Sequence, residues 1–314
     1  MAKAIMIQGT ASGVGKTILT LALCRIFKED GVKVCPFKPQ NITSNTYFTP
    51  SGDEMAISQW LQAKAAGIIP DSLMSPVVLK PSANGVRAIV NGKPLKDVNL
   101  YNSLEVRKEL LPTIVEAYNQ VSSDYEVIVI EGAGSPVELN LNQNDMVNMG
   151  MASIARSPVL LVSDIDRGGV FASLYGTIHL LDEIEKEYVK ATIVNRFIGD
   201  VATFQKGIEI MEEITKVPVA GVVPAMKINL PEEDGPDHGL AVIIESASDN
   251  ERESIKRNNL KSVPVVMKDN TIDDEKSFSG KNIIGLEAEF DYIAKVVRKA
   301  LNMELIVDIL NKGM

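Results

Sequence analysis

A glycine-rich segment near the start of the chain has the composition of a phosphate-binding loop. It reads GTASGVGKT from Gly9 onward and precedes a predicted helix. Glycines let backbone N–H groups point at phosphate oxygens, while Lys16 supplies a positive charge and the Thr17 hydroxyl could hold Mg²⁺. The usual spacing requires glycine where this chain has Thr10, so the pattern matches imperfectly although the strand–loop–helix context fits. We expect Lys16 to be solvated without a ligand; an ordinary glycine-rich turn is the alternative.

An acidic residue ends one apolar stretch of the sequence. Glu131 closes this stretch and precedes the tight turn GAG. A carboxylate at the carboxyl end of a parallel strand lies in the crevice where such sheets bind ligands, so Glu131 could complete a Mg²⁺ shell with Thr17 and phosphate oxygens. Asp53 is a further candidate ligand of the metal. The alternatives are a solvent-exposed strand end for Glu131 and a helix cap for Asp53.

Two further charged residues lie at predicted strand ends. Lys38, within PFKPQN, could face a transferred phosphate or an anionic substrate. Asp166 lies in the turn DIDRGG, whose glycines and following helix favour an anion, and whose acids could polarise a water or a metal. A solvated lysine and an Asp-rich helix cap are the respective alternatives.

These side chains need a scaffold that brings strand ends together. Short apolar, β-branched runs alternate with amphipathic helical stretches, and most runs are apolar throughout, as in strands covered on both faces by helices. We therefore predict an α/β fold with a doubly wound, mostly parallel sheet and a small C-terminal appendage. The predicted strands are Ala4–Gln8, Val32–Lys38, Glu126–Glu131, Pro158–Asp164, Ala191–Phe197 and Val219–Pro224. The predicted helices are Lys16–Asp30, Glu54–Ala66, Ser103–Val121, Asp145–Ala155, Val170–Tyr188 and Thr203–Thr215.

Length, composition and charge restrict the possible functions. The 314 residues, 45% of them hydrophobic, suffice for one large domain with or without an appendage. A net charge of −9 without a Lys/Arg block disfavours nucleic acid and anionic membranes as partners. No apolar run reaches the roughly 20 residues of a membrane helix and no signal peptide is recognised, so we expect a cytoplasmic protein. Cys24 and Cys35 suit buried thiols better than a disulfide or a zinc site.

The sequence changes character after residue 231. Residues 232–276 contain twelve Asp/Glu and six Lys/Arg, so most of the negative excess lies there. We predict strands at Leu240–Glu245 and Val263–Met267, a helix near Asn250–Asn258, and a final helix at Glu287–Leu310 with one apolar stripe. The predicted domains are a phosphate-loop domain over 1–231 and a short acidic segment over 232–314 that ends in a helix.

Several longer strings resemble one known family. In order along residues 4–231, the chain contains GTASGVGKT, FKPQN, GDEMAISQ, EGAGSPVELNL, DMVNMGMA, SDIDRGGVFASLYGT, IVNRFIGD and GVVP. Together they resemble the ATP-dependent synthase domain of cobyric acid synthase. Dethiobiotin synthetase shares the loop and the lysine-bearing strand end but not the later strings. The resemblance implies a P-loop NTPase sheet of the dethiobiotin synthetase-like type.

The resemblance also implies a reaction and a set of roles. ATP and Mg²⁺ would phosphorylate propionate side chains of cobyrinic acid a,c-diamide, and ammonia would convert each acyl phosphate to an amide, giving cobyric acid. The nucleotide would be bound by Thr10, Gly13, Val14, Gly15, Lys16, Thr17 and Asn195, the last reading adenine. The metal would be held by Thr17, Asp53 and Glu131. Lys38 would stabilise the developing charge, and Gln40, Asn41 and Asp166 would contact substrate or intermediates.

Members of this family carry a C-terminal glutaminase domain with a cysteine nucleophile and a histidine–glutamate pair. No cysteine follows residue 231, and His238 is the sole histidine there. We therefore expect ammonia to be used free or to come from a separate glutaminase subunit, and we expect a homodimer. The alternatives are an ATP-dependent ligase acting on another carboxylate, and a non-enzymatic nucleotide-switch or corrinoid-binding protein.

Overall fold

The fold is built around a parallel β-sheet in a computed structural model, which describes residues 2–82, 85–95, 103–139, 145–231 and 280–314. Its strands are β1 (Lys3–Gly9), β2 (Val34–Phe37), β3 (Gln40–Ile42), β4 (Thr46–Phe48), β5 (Glu54–Ala56), β6 (Val77–Ser82), β7 (Gly85–Val90), β8 (Lys93–Pro94), β9 (Val127–Glu131), β10 (Val159–Asp164), β11 (Val189–Phe197) and β12 (Val219–Pro224). Its helices are α1 (Lys16–Glu29), α2 (Ile57–Ala65), α3 (Ser103–Asp124), α4 (Met149–Ala155), α5 (Val170–Leu180), α6 (Glu183–Tyr188), α7 (Gln205–Thr215), α8 (Gly280–Ala300) and α9 (Met303–Lys312).

Six strands form the main sheet, in the order β2-β9-β1-β10-β11-β12, and each neighbouring pair is parallel. These are the six strands that the apolar runs predict. All residues of β9 and β10 are buried, because helices flank the sheet and remove both faces from water. The predicted doubly wound, mostly parallel α/β class is confirmed.

The carboxyl ends of the central strands meet at one edge of the sheet. In the register of β1 and β9, Ile7 lies beside Glu131. In the register of β10 and β11, Asp164 lies beside Asn195. The loops that follow these strands therefore surround one crevice, which is where open parallel sheets bind ligands.

Several predicted helices have different limits in the structure, and the reason is visible in three of them. The first begins at Ile57 rather than Glu54, because Glu54–Ala56 pairs with β4 as an antiparallel strand. The second, Val170–Tyr188, is divided because the Asp182 side chain accepts a hydrogen bond from the N–H of Glu185 and starts a new helix. The last predicted helix is divided for the same reason, since Asn302 caps α9.

A second set of strands was not predicted from the sequence. Strands β3, β6, β7 and β8 form one small sheet, and β4 and β5 form a separate hairpin. β3 has three residues, of which two are polar. It therefore lacks the apolar run from which a strand could be predicted. This part of the chain follows β2 directly and places Asn41 next to the crevice.

The two C-terminal helices pack onto the main sheet and onto α1. Phe290, Ile293 and Val297, from the predicted apolar stripe, are buried in the main core. Burial lowers the pKa of Arg25 on α1, but hydrogen bonds and charges from Asp291 and Glu287 on α8 outweigh it, so the pKa is raised.

The predicted elements between residues 240 and 267 lie outside the described residues, and the domain division at residue 231 stays a prediction. None of the described helices combines the length and the apolar composition needed to span a membrane.

Candidate active site

The loop between β1 and α1 curls around the ammonium group of Lys16. Its Nζ donates hydrogen bonds to the carbonyl oxygens of Ala11, at 2.9 Å, and Gly134, at 3.0 Å. The expectation that Lys16 is solvated without a ligand is wrong, because only 6% of the residue is exposed. The ammonium is therefore already held where a helix N-terminus and loop N–H groups favour an anion.

One glycine of this loop is required both by its backbone and by its neighbour. Gly15 has φ of +101°, in the left-handed region, and a Cβ there would lie 2.1 Å from the side-chain nitrogen of Asn195. That nitrogen donates a 2.8 Å hydrogen bond to the carbonyl of Val14. Asn195 thus packs against the phosphate loop from the end of β11, and its role in reading adenine stays a prediction.

Gly15→Ala should weaken nucleotide binding far more than Gly13→Ala. Both glycines have positive φ, which costs another residue about 1–2 kcal/mol, but the nearest atom to a Cβ on Gly13 is 3.9 Å away. Only the Gly15 variant must also displace Asn195. Titration with a fluorescent ADP analogue, beside urea unfolding of both variants, checks this. Equal losses of affinity would mean that the contact with Asn195 is unimportant.

A buried carboxylate lies beside the loop. Glu131 is fully buried, and its Oε1 accepts hydrogen bonds from the Thr17 hydroxyl at 2.8 Å and from Lys38 Nζ at 2.9 Å. Lys38 is also buried, so the two charges form an ion pair away from bulk water. The structure thus brings together three residues that the sequence analysis selected independently.

Two glutamines on α2 complete the surroundings of Glu131, and the sequence analysis missed both. Gln62 Nε2 donates to Glu131 Oε2 at 2.6 Å, and Gln59 Nε2 lies 3.4 Å from the same oxygen. Neither glutamine is exposed. Their spacing of three residues places both on one face of the helix. The signal that could have found them is a pair of polar residues on the otherwise apolar face of this helix.

Asn41 connects the buried cluster of Glu131, Gln59 and Gln62 to the crevice. Its amide donates to Ser58 Oγ and to Gln59 Oε1, both at 3.0 Å. Asn41 and Ser58 line the crevice, whereas the preceding residue, Gln40, does not. The predicted substrate contact of Asn41 is therefore sterically available, and that of Gln40 stays a prediction.

These groups surround a cavity of about 600 Å³. Its polar lining includes Ser12, Gly13, Gly15, Lys16, Thr17, Lys38, Asn41, Ser58, Glu131 and Arg196. Its apolar lining includes Ile18, Leu21, Ile42, Leu61, Leu230 and Pro231. The cavity is large enough for a nucleotide-sized ligand and combines a charged part with an apolar part.

Arg196 is a further lining residue that the sequence analysis missed. It has φ of +60°, which is uncommon for a residue with a side chain, and its Nη1 donates to Asp164 Oδ2 at 2.7 Å. The other oxygen of Asp164 accepts from the N–H of Asp166 at 2.8 Å. Asp166 is not among the lining residues of the cavity, and its role toward substrate or intermediates stays a prediction. Thr10 is part of the loop, and its hydroxyl donates a hydrogen bond to Ser163 Oγ at 3.0 Å; its predicted contact with the nucleotide stays a prediction.

Asp53 lies outside the cavity that contains Thr17 and Glu131. Its carboxylate pairs with Lys93 at 2.5 Å and accepts a hydrogen bond from Ser51 at 2.7 Å. The hydrogen bonds from Lys93 and Ser51 lower the pKa of Asp53. The alternative that Asp53 caps a helix is wrong, because the next three residues form β5. Asp53 does not line the cavity with Thr17 and Glu131, and its place in a metal shell stays a prediction.

Comparison with known families finds a match that includes this site. The CobQ/CobB/MinD/ParA nucleotide binding domain matches residues 5–235. The chain belongs to this family. The match includes the loop, Lys38, the α2 glutamines, Glu131 and Arg196, so the whole cavity lies within the family's domain.

Similar proteins within the family include cobyric acid synthases. The chain is 50% identical over 235 residues to that of Streptococcus sanguinis, which covers 74% of this chain and 47% of that protein. It is 49% identical over 236 residues to that of Citrobacter koseri, covering 75% and 47%. The resemblance read from the sequence is confirmed, and the chain spans about half the length of the curated relatives it matches.

Solved structures are more distant. The MinD cell division protein of Aquifex aeolicus is 20% identical, covers 84% of this chain and all of its own, and has a TM-score of 0.39. The signal recognition particle receptor FtsY of Elizabethkingia anophelis, in complex with GDP, is 19% identical, with coverage of 72% and 58% and a TM-score of 0.38. The fold assignment therefore rests on the sheet itself.

The donor set beside the loop suits a magnesium ion. Among the residues that the structure describes, no group of three or more His, Cys, Asp or Glu could form a metal cage. Mg²⁺ prefers oxygen ligands and usually keeps waters and substrate phosphates in its shell, so it needs few protein ligands. The Thr17 hydroxyl and Glu131 carboxylate, with oxygens 2.8 Å apart, fit that requirement.

Proposed function

We propose that this chain catalyses the ATP-dependent amidation of carboxylates on a corrinoid, converting cobyrinic acid a,c-diamide to cobyric acid through acyl phosphates. The observation that carries the proposal is the convergence of Lys38, Glu131 and Thr17 beside a phosphate loop, at the edge of one cavity. The 50% identity to cobyric acid synthases supports the substrate class.

The loop and α1 bind the triphosphate. Backbone N–H groups at the start of α1 donate hydrogen bonds to the phosphate oxygens. The Lys16 ammonium exchanges its two carbonyl partners for phosphate oxygens. Mg²⁺ would be held by Thr17 and Glu131, and it supplies positive charge to the phosphate oxygens. Since phosphoryl transfer depends on positioning and charge neutralisation, these groups suffice without a covalent intermediate on the protein.

Lys38 acts at the transferred group. A carboxylate oxygen of the acceptor attacks the terminal phosphorus while the bond between that phosphorus and the ADP oxygen breaks. The Lys38 ammonium, held by Glu131 at 2.9 Å, stabilises negative charge on the phosphoryl oxygens as transfer proceeds. The product is an acyl phosphate on the acceptor, with ADP as the leaving group.

The second step forms the amide. The nitrogen of ammonia attacks the acyl carbon, the bond between that carbon and the phosphate oxygen breaks, and the ammonium proton passes to water. The sequence contains two cysteines, Cys24 and Cys35, and both are buried. Burial raises the pKa of both thiols, which disfavours the thiolate that glutamine hydrolysis requires, and neither side chain is exposed to a substrate. For these 314 residues we therefore propose ammonia, free or delivered by a glutaminase, as the nitrogen source.

The experiment that tests this function compares nitrogen donors. The purified chain with ATP, Mg²⁺ and cobyrinic a,c-diamide should form amides with ammonium but not with glutamine alone. Activity with ammonium should rise as the pH approaches the pKa of ammonium, because only neutral ammonia is a nucleophile. Amide formation from glutamine by the parent chain that is lost in the Cys24→Ser, Cys35→Ser double variant would contradict the argument from the cysteines. Failure of both donors, even with a glutaminase added in trans, would contradict the proposed function.

Two other properties remain predictions. These are a homodimeric assembly and a cytoplasmic location. The corrinoid itself would occupy the part of the cavity lined by Ile42, Leu230 and Pro231, where apolar side chains can contact a large ring.

A further inference from the structure

The two oxygens of the Glu131 carboxylate have different partners. Oε1 accepts from Thr17 and Lys38, both of which line the cavity. Oε2 accepts from Gln62 at 2.6 Å and has a longer contact of 3.4 Å with Gln59 Nε2, both on α2. The carboxylate is therefore oriented, with one oxygen assigned to the cavity and the other to a buried amide.

The Gln62 amide is itself oriented by its neighbours. Its oxygen accepts from Gln59 Nε2 at 3.3 Å, which fixes which end of the amide faces Glu131. Its nitrogen also lies 3.3 Å from the backbone carbonyl of Thr17, so the same NH₂ group links Glu131 to the first turn of α1. Both glutamines are fully buried, which limits their rotation.

A neutral donor suits this position. A buried carboxylate oxygen without a hydrogen bond carries a large desolvation penalty, which Gln62 removes. A lysine or arginine in the same place would also satisfy the oxygen, but its charge would repel a cation at Oε1. The amide satisfies Oε2 without adding a second positive charge beside Glu131, whose Oε1 already pairs with Lys38.

We propose that Gln62 is a positioning residue for the divalent cation, holding Glu131 so that Oε1 faces the Thr17 hydroxyl. This proposal rests on the magnesium site of the proposed function. It predicts that Gln62 affects cation binding through Glu131, and that it affects metal-free nucleotide binding little, because Gln62 does not line the cavity.

The test measures binding of Mn²⁺, by its electron paramagnetic resonance signal, to the full chain with a non-hydrolysable ATP analogue. Gln62→Met keeps the length of the side chain and removes the donor. We expect it to weaken Mn²⁺ binding by about ten- to a hundredfold, the range typical of residues behind a metal ligand. Affinity for the analogue without metal should stay within about twofold of the parent chain, a change of less than 0.5 kcal/mol.

A double-mutant cycle separates positioning from a general structural effect. If Gln62 acts through Glu131, then Gln62→Met should have no further effect on Mn²⁺ affinity in a Glu131→Gln background. The matched control is Gln8→Leu, because Gln8 is another fully buried glutamine and its amide nitrogen contacts the sulfurs of Met6 and Met149 rather than Glu131. Its Mn²⁺ affinity should equal that of the parent chain.

Each outcome of these measurements supports or overturns a specific part of the proposal. Unchanged Mn²⁺ affinity in folded Gln62→Met, or an equal loss in Gln8→Leu, would overturn the proposal. If Gln62→Met does not fold, Gln62→Asn keeps an amide but shortens its reach, and normal Mn²⁺ affinity in that variant would overturn the proposal as well. A parent chain that binds the analogue but no Mn²⁺ would instead overturn the magnesium site. Normal Mn²⁺ binding without amide formation would leave the positioning role intact and contradict the proposed reaction.

Discussion

Replacing Lys16 with alanine should remove ATP turnover while the chain stays folded. The ammonium is fixed at the start of α1 by two carbonyls, where it meets the phosphate oxygens of a bound nucleotide. Losing one such group from a preorganised site lowers the rate by about a hundred- to a thousandfold. The two lost hydrogen bonds should lower the free energy of unfolding by about 1–3 kcal/mol.

Phosphate release in the presence of ammonium and the corrinoid measures this effect, and circular dichroism with urea unfolding measures the fold. Lys28→Ala is the matched control, because Lys28 lies on the same helix and is exposed. That variant should keep the parent rate. Turnover of the Lys16 variant within twofold of the parent would remove the assignment of GTASGVGKT as the phosphate loop.

Glu131→Gln should weaken the response to magnesium and also weaken the fold. The amide is a poor ligand for a hard cation, so the Mg²⁺ affinity should fall by at least about tenfold, the lower limit seen even for residues behind a ligand. The variant also leaves the buried Lys38 ammonium without its counter-charge. Removing one partner of a buried ion pair costs about 3–5 kcal/mol, so the free energy of unfolding should fall by a similar amount.

A second substitution separates the two effects. Adding Lys38→Met removes the uncompensated charge, so the double variant should recover part of the lost stability. It should not recover activity, since both proposed catalytic charges are then absent. Magnesium titrations of turnover and urea unfolding of both variants provide the measurements. An unaltered magnesium requirement in Glu131→Gln would mean that this carboxylate serves the fold alone.

The elements that the sequence predicts best are those whose signal is local. All six strands of the main sheet lie in predominantly apolar runs, and the ends of such runs also indicated Lys38 and Glu131. Their meeting at one edge follows from parallel pairing alone, because carboxyl ends of parallel strands lie on the same side. The site could therefore be predicted as far as the strand ends and the loop.

The rest depends on packing that no local pattern encodes. Gln59 and Gln62 carry neither charge nor motif, and they reach Glu131 because α2 packs beside α1. Asp53 has the residue type of a metal ligand, but the hairpin of β4 and β5 turns it toward Lys93. Lys16 was expected in solvent because the turn that contains Gly134, which covers it, is more than a hundred residues away in the chain.

Sequence similarity and packing delimit different units in this chain. The family's domain ends at residue 235, whereas the core that contains Ile5 also contains Phe290. Lys3, the first residue of β1, pairs with β9 and donates a 2.7 Å hydrogen bond to Asn311 near the end of α9. The first strand and the last helix are therefore in contact. A fragment cut at the similarity boundary would uncover apolar surface on the helix that carries the phosphate-binding residues. The packing that supports the phosphate-binding loop therefore includes α8 and α9, which lie outside the matched residues 5–235.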